Sequence, residues 1–153
     1  MKRLLVAIAS LLCFAATALA QNQFNDRADN IIGLYSGLQA GEPFRVEVSR
    51  QDDGSYRAQV VWVEHDRDAQ GNKRLDVKNP DKSLRSVPYD RVVLISGLRY
   101  NSKRHRWDGA RIYDPLRGIR APATVEFTAD GRLKVKGTLL GISETVFWDR
   151  VGQ

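Results

Sequence analysis

The chain has 153 residues and a formal net charge of +6, and its only cysteine is Cys13. Positive and negative residues alternate along most of the sequence, and this mild, mixed balance argues against a nucleic-acid-binding protein. No cysteine follows Cys13 in this sequence, which excludes disulfides and cysteine-based metal sites from the rest of the chain.

The first twenty residues predict a secretory signal peptide. Lys2 and Arg3 precede the apolar stretch LLVAIASLLCFAATA, and the small residues Ala18–Ala20 predict cleavage after Ala20. The apolar stretch is short for a span of about 20 residues, which disfavours a membrane anchor. The residues before Cys13 are not the small ones that typify a lipoprotein. We therefore expect a periplasmic or secreted protein with no transmembrane segment after cleavage.

The polar residues 21–30 are interpreted as a tail or short helix, and residues 31–153 as a single β domain. In FRVEVSR, Phe44, Val46 and Val48 alternate with polar residues, which is typical of a half-buried strand. Short strands joined by Gly, Asp and Asn turns predict an all-β fold, namely a small antiparallel β-barrel of about eight strands or a sandwich. The other predicted strands are GLYSG, YRAQVVWVE, VVLISGL, RWDGARIYD, APATVEFT, RLKVKGTLL and ISETVFWDRV.

The polar stretch between YRAQVVWVE and VVLISGL predicts a long loop with one short helical turn. Asn79 suits the N-cap, Pro80 the first helical position and Asp81 the first turn of a segment that runs to Arg85. One interpretation is a cap over one end of the barrel. The other is a lid over the barrel mouth, in which Arg85 or Lys82 meets an anionic ligand head.

The stretch WDGARIYDP contains the most concentrated set of candidate residues. Alternation along a strand places Trp107, Arg111 and Tyr113 on one face, and Gly109 predicts a bulge. The structural interpretation is a bulged strand that ends in a turn. In the functional interpretation, Trp107, Arg111 and Tyr113 line a cavity in which Arg111 holds an anion.

The same stretch contains two aspartates. Asp114 and Pro115 are typical of the start of a type I turn. Asp108 lies six residues earlier, about 20 Å away along an extended strand. That separation is too large for a general acid and base pair.

Glu144 and Trp62 are further candidates for the barrel interior. Glu144 shares a strand face with Trp148. If that face is inward, a buried carboxylate needs a partner such as Arg111; if Phe147 is inward instead, Glu144 is solvated. Trp62, in YRAQVVWVE, is a candidate aromatic contact for a ligand.

The two histidines, His65 and His105, are expected in exposed loops, and their surroundings lack the convergent ligands that a metal site needs. No cofactor motif is present. The positive run Arg99–Arg106 is interpreted as a solvated hairpin tip or as a contact for an anionic envelope surface.

In their order along the chain, IIGLYSG, LDVKNPDKSLRSVPYDRVVLISGLRY, RWDGARIYDPLRG and LKVKGTLLGISETVFWDRV resemble a bacterial family, domain of unknown function 2147. The resemblance implies a small exported protein with a lipocalin-like β-barrel. Tyr35 stands where that family usually has a tryptophan, in a position that resembles the G-x-W motif of lipocalins. Many members also carry a cysteine pair near the first hairpin, which this chain lacks.

Together these features favour a cell-envelope barrel that binds a small apolar or amphipathic ligand or lipid. The alternative is an envelope protein-interaction module with a filled barrel and no ligand. An enzyme is the third and weakest hypothesis, and no residue is assigned a catalytic role.

Overall fold

In a computed structural model, which describes residues 23–152, the chain forms a closed antiparallel β-barrel. Each of the eight strands in this range pairs with the next along the chain, and the last strand pairs with the first. The predicted all-β barrel is confirmed, and GLYSG supplies the eighth strand. The strands are β1 (Gly33–Gln39), β2 (Glu42–Arg50), β3 (Tyr56–Val63), β4 (Val93–Asn101), β5 (Arg106–Asp114), β6 (Ile119–Phe127), β7 (Leu133–Leu139) and β8 (Ile142–Arg150).

Strand alternation fills the inside of the barrel as the sequence predicts. Phe44, Val46 and Val48 on β2 are buried, and so are Val125 and Phe127 on β6. Each pair of opposed residues in an antiparallel ladder shares a face, so the inward set of one strand fixes that of the next. The core therefore lies in the lumen of the barrel.

Short 3-10 segments accompany the strands at Ala28–Ile31, Lys82–Leu84 and Tyr89–Arg91. The predicted helical turn in the β3–β4 loop is present but shorter. Its cap is also different: the side chain of Asp81 accepts from Ser83 N, so Asp81 and not Asn79 is the N-cap. Asn79 is buried two residues earlier, and its Oδ1 accepts from Asp81 N at 3.0 Å.

Arg150 closes one end of the barrel. Its Nη1 donates to Ile32 O and its Nη2 to the Tyr35 hydroxyl, each at 2.8 Å. The guanidinium also lies 4.9 Å from the centroid of the fully buried Tyr35 ring. This contact joins β8 to β1 where the barrel closes, and Tyr35 therefore fills the position that the resemblance assigns to tryptophan.

The segment before β1 packs across the same end, although the sequence suggests a polar tail. Asn25 is buried and forms two hydrogen bonds with the backbone of Phe127, at 2.7 and 2.9 Å. The indole of Trp107 donates to Ala28 O at 3.0 Å. The predicted cleavage after Ala20 lies outside the described residues.

Two irregularities change which residues face inward. The β2–β3 register shifts after Arg45, because Val61 is an extra residue between Val60 and Trp62. The β5–β6 register shifts between Trp107 and Ala110, where Gly109 has a φ of 81°. The bulge predicted at Gly109 is therefore present, and it reverses the alternation beyond it.

Candidate functional site: an open cavity in the barrel

The end of the barrel opposite Arg150 is open and leads into a cavity of about 470 Å³. The β1–β2, β5–β6 and β7–β8 turns surround its mouth. A volume between about 300 and 1,000 Å³ is typical of sites for small molecules. The lining residues are Leu38, Gln39, Ala40, Phe44, Leu94, Ile112, Tyr113, Asp114, Arg117, Ile119, Ala121, Val135, Gly137, Leu139, Leu140, Ile142, Glu144, Val146 and Trp148.

The cavity exists because side-chain size differs between the two halves of the lumen. At the closed end, Trp107 packs edge-on to Phe127, with ring centroids 5.8 Å apart. Toward the mouth, the lining includes Ala121, whose small side chain leaves space that a larger one would fill. Gly137 instead allows close packing with Ile112, since an added Cβ would lie 3.1 Å from Ile112 Cγ2. The open half of the lumen is therefore a ligand-sized space with an apolar wall.

The floor of this space is aromatic. Phe44 and Trp148 meet edge-on with centroids 6.1 Å apart, and a Cβ added to Gly37 would lie 2.8 Å from both rings. The indole Nε1 of Trp148 is buried and has no hydrogen-bond partner among residues 23–152. Glycine at position 37 thus allows both rings to approach β1 closely.

Asp114, Arg117 and Glu144 form an ion cluster at the mouth. Arg117, in the β5–β6 turn, donates from Nε to Asp114 Oδ2 at 2.6 Å and from Nη1 to Glu144 Oε1 at 2.8 Å, while Nη2 contacts Glu144 Oε2. The other oxygen of Asp114 accepts from Gln39 Nε2 at 2.9 Å. The cluster joins three strands that meet at the mouth.

This arrangement favours the charged forms of Arg117 and Glu144. The hydrogen bond from Arg117 lowers the pKa of the exposed Glu144 carboxyl. The bonds to Glu144 and Asp114 raise the pKa of Arg117. Counted by formal charge, the cluster has two carboxylates and one guanidinium.

The register of β8 settles the orientation of Glu144. Leu133 pairs with Trp148, and Gly137 pairs with Glu144, so Glu144 lies on the lumen face with Trp148. The register is that of the inward alternative, but the carboxylate lies at the mouth and is 60% exposed rather than buried. Its partner is Arg117 and not the predicted Arg111.

The turn after β5 is held as Asp114 and Pro115 suggest, but it is longer than a type I turn. Asp114 Oδ1 accepts from Leu116 N at 2.9 Å, and Gly118 N donates to Asp114 O at 2.8 Å. Gly118 has a φ of 69°, and an added Cβ would lie 2.3 Å from Lys78 O. Glycine is required here because the β3–β4 loop packs against the turn.

Tyr113 borders the cavity, but it lies on the same face of β5 as Arg111, opposite Arg120, and its hydroxyl anchors the β3–β4 loop. The hydroxyl donates to Oδ1 of the buried Asp76 at 2.6 Å, and Asn79 Nδ2 donates to Oδ2 at 2.7 Å. Burial and the bond to Asp76 raise the pKa of Tyr113. The loop residues near the mouth are therefore fixed to β5.

The predicted grouping of Trp107, Arg111 and Tyr113 on one face is wrong for Trp107, because the bulge at Gly109 separates it from Arg111 and Tyr113, which do share a face. Ala110 and Ile112 pair with Ala123 and Ala121 on the lumen side, which turns Arg111 outward. Arg111 is exposed and donates to Arg120 O at 2.8 Å. Trp107 faces inward but lies at the closed end, outside the cavity lining.

Trp62 and Arg85 are also remote from the cavity. The bulge at Val61 places Trp62 on the outer face, where Arg45 lies 5.4 Å from its ring centroid. Arg85 donates from Nε to Asn79 O at 2.8 Å within the β3–β4 loop. No residue of that loop belongs to the described cavity lining, and Lys82 is exposed.

Several residues of the cavity lining are not predicted as such by the sequence. Arg117 and Gln39 are polar turn-adjacent residues with no motif around them, and Ala121 and Gly137 read as ordinary small strand residues. The alternation of β6 and β7 does place Ala121 and Gly137 inward. Inward small residues on adjacent strands are the one sequence signal of this cavity.

The positive turn Arg99–Arg106 lies at the closed end, opposite the mouth. Arg99 pairs with Asp53 at 3.2 Å and Arg106 with Asp108 at 3.0 Å. His65 and His105 are exposed. Within residues 23–152, no helix has the length and apolarity to span a membrane, and no group of three or more potential ligands marks a metal site.

Comparison with known proteins agrees with the architecture. A family profile described as "Uncharacterized protein conserved in bacteria (DUF2147)" matches residues 33–150. A similar solved structure is that of HP1028 from Helicobacter pylori, described as belonging to the lipocalin family. It is 24% identical with a TM-score of 0.63, over 80% of this chain and 84% of that one. A search of curated proteins gave no match.

Proposed function

This chain belongs to the bacterial DUF2147 family and has a lipocalin-like barrel, and we propose that it binds a small apolar or amphipathic ligand in the open half of that barrel. The observation that carries the proposal is the cavity of about 470 Å³, with an apolar wall and a polar mouth. Apolar concavities with a few polar groups are typical of small-molecule sites.

The open cavity also argues against the alternative of a filled barrel that acts only through its outer surface. A filled lumen would continue the packing seen around Trp107 and Phe127 toward the mouth. Instead, Ala121 lies where a bulkier residue would continue the core. The space is therefore built into the strand sequences.

The proposal is tested with phenylnaphthylamine, an uncharged dye whose emission rises in apolar surroundings. We expect saturable binding at one site. Ala121→Phe places a ring in the cavity and should weaken binding by at least about tenfold, a loss of about 1.4 kcal/mol.

Thr124→Phe is the matched control, since Thr124 lies on the outer face of the same strand, opposite Lys136. It should leave the dissociation constant within about twofold. Circular dichroism and thermal unfolding establish that both variants fold. Absence of dye binding to the wild type, or equal binding by Ala121→Phe, would refute the proposal.

We place this activity in the cell envelope, because residues 1–20 read as a signal peptide. The test is fractionation of cells that express the full chain with a C-terminal tag, followed by mass spectrometry of the N-terminus. A mature protein that starts at Gln21 in the periplasm or medium supports the location, and an intact N-terminus in the cytoplasm opposes it.

A contact between the positive turn Arg99–Arg106 and an anionic envelope surface is part of the same proposal. The turn lies opposite the mouth, so such a contact would leave the cavity accessible. Cosedimentation with anionic vesicles that is lost on substitution of Lys103 and Arg104 by glutamine would support it. Equal sedimentation of this variant and the wild type would oppose it.

A further inference from the structure

The lining of the cavity is polar at only one end. Gln39, Asp114, Arg117 and Glu144 lie at the mouth, whereas the walls and floor are apolar apart from the buried indole nitrogen of Trp148. An amphipathic ligand would therefore place its chain inward and its polar head at the mouth.

The reverse orientation is costly for a charged head. A carboxylate near the floor would meet one indole N–H and no cation, because the cations of the lining are confined to Arg117 at the mouth. Transfer of an unpaired charge into such surroundings is strongly unfavourable. The head group of a charged ligand must therefore lie near the ion cluster.

The ion cluster has a net negative charge, since two carboxylates surround one guanidinium. Arg117 already directs Nε to Asp114 and both terminal nitrogens to Glu144. Two of the five guanidinium N–H groups are left for another acceptor, but an anionic head that used them would lie beside both carboxylates. Glu144 is 60% exposed at its side chain and is open to a second partner.

Nearby basic residues outside the lining are committed elsewhere. Lys78 Nζ donates to Leu116 O at 2.7 Å, and the Arg120 guanidinium lies 4.7 Å from the Tyr113 ring centroid. Neither belongs to the cavity lining. Within the cavity lining, the charged side chains at the mouth are therefore Asp114, Arg117 and Glu144.

From this arrangement we infer that the cavity selects amphipaths by head-group charge: it takes single-chain molecules with a cationic or uncharged head and disfavours fatty-acid anions. The inference rests on the proposed ligand binding and adds the class of ligand. It runs against the overall charge of the chain, which is +6 and would by itself favour anions.

The test compares three ligands with the same alkyl chain, decylammonium, decanol and decanoate, as competitors of phenylnaphthylamine at neutral pH. We expect decylammonium to bind most tightly and decanoate most weakly, with a ratio of roughly tenfold for unit charges about 5 Å apart in partly screened surroundings. Decanoate that binds as tightly as decylammonium, or more tightly, would overturn the inference.

Glu144→Gln removes one negative charge and leaves the mouth neutral, so the ratio should fall to about twofold or less. Glu47→Gln is the matched control, because Glu47 is exposed on the outer face of β2 and should leave the ratio unchanged. A ratio that survives in Glu144→Gln would also overturn the inference.

Failure of the two proposals can be distinguished. If phenylnaphthylamine does not bind, ligand binding itself fails. If it binds but none of the decyl compounds displaces it, the cavity binds ligands but does not take single-chain amphipaths. If all three displace it without the expected order, the cavity binds ligands and only the selection by charge is wrong.

Discussion

Removal of the Tyr113 hydroxyl tests whether this cavity-lining residue serves the fold rather than the ligand. In Tyr113→Phe the ring remains, and so does its contact with Arg120. The hydrogen bond of 2.6 Å to Asp76 is lost, and this carboxyl is only 1% exposed. Asp76 retains the bond from Asn79 Nδ2 but has an unsatisfied oxygen.

Loss of a hydrogen bond to a charged group costs about 1.5–3 kcal/mol. The cost is larger when the loss leaves a buried acceptor without a donor. We therefore expect Tyr113→Phe to lower the free energy of unfolding by about 2 kcal/mol. Urea denaturation with matched m-values measures this change.

Tyr100→Phe is the matched control, because its hydroxyl donates to a neutral acceptor, Asn25 O, at 2.6 Å. That variant should lose about 1 kcal/mol. Tyr113→Phe should also bind phenylnaphthylamine within about twofold of the wild type, since its hydroxyl is directed to Asp76. A loss no larger than that of Tyr100→Phe, or a large loss of dye binding, would refute the reasoning.

Three further predictions concern the backbone and pH. Gly109→Ala forces a side chain into a φ of 81° and should destabilise by about 1 kcal/mol or more in urea, and an unchanged stability would contradict the bulge. Leu140 has a φ of 51° and is 94% exposed. Because asparagine adopts a positive φ more readily than leucine, Leu140→Asn should raise the free energy of unfolding by about 0.5 kcal/mol, and a lower melting temperature would oppose this. Burial raises the pKa of Tyr35 from 10.0 to about 12, so the unfolded state loses its proton first and stability should fall as pH rises through this interval. Alkaline denaturation curves of the wild type and Tyr35→Phe should diverge there, and parallel curves would exclude this cause.

Strand alternation and turn residues are local properties, and they predict most of this fold. Phe44, Val46 and Val48 are buried as expected, and the glycine at position 109 correctly indicates a bulge. The outward orientation of Arg111 could also have been predicted from the sequence, because one extra residue reverses the facing of every later residue on the strand.

The cavity is harder to predict from the sequence, because it depends on contacts between strands and turns that are far apart along the chain. Glu144 and Arg117 are 27 residues apart, and only the closed barrel brings β8 to the β5–β6 turn. The capping role of Asp81 instead of Asn79 has a similar cause. Asn79 is drawn inward by Asp76, a tertiary contact that local propensity does not include.

The most direct test of the account is a crystal structure with bromodecane, in which anomalous scattering locates the bromine. The account predicts one dominant bromine site inside the barrel between the mouth cluster and the Phe44–Trp148 floor, and its loss in Ala121→Phe. Bromine bound only on the outer face, or a lumen that excludes the compound, would contradict the claim that the open half of this barrel is a ligand site.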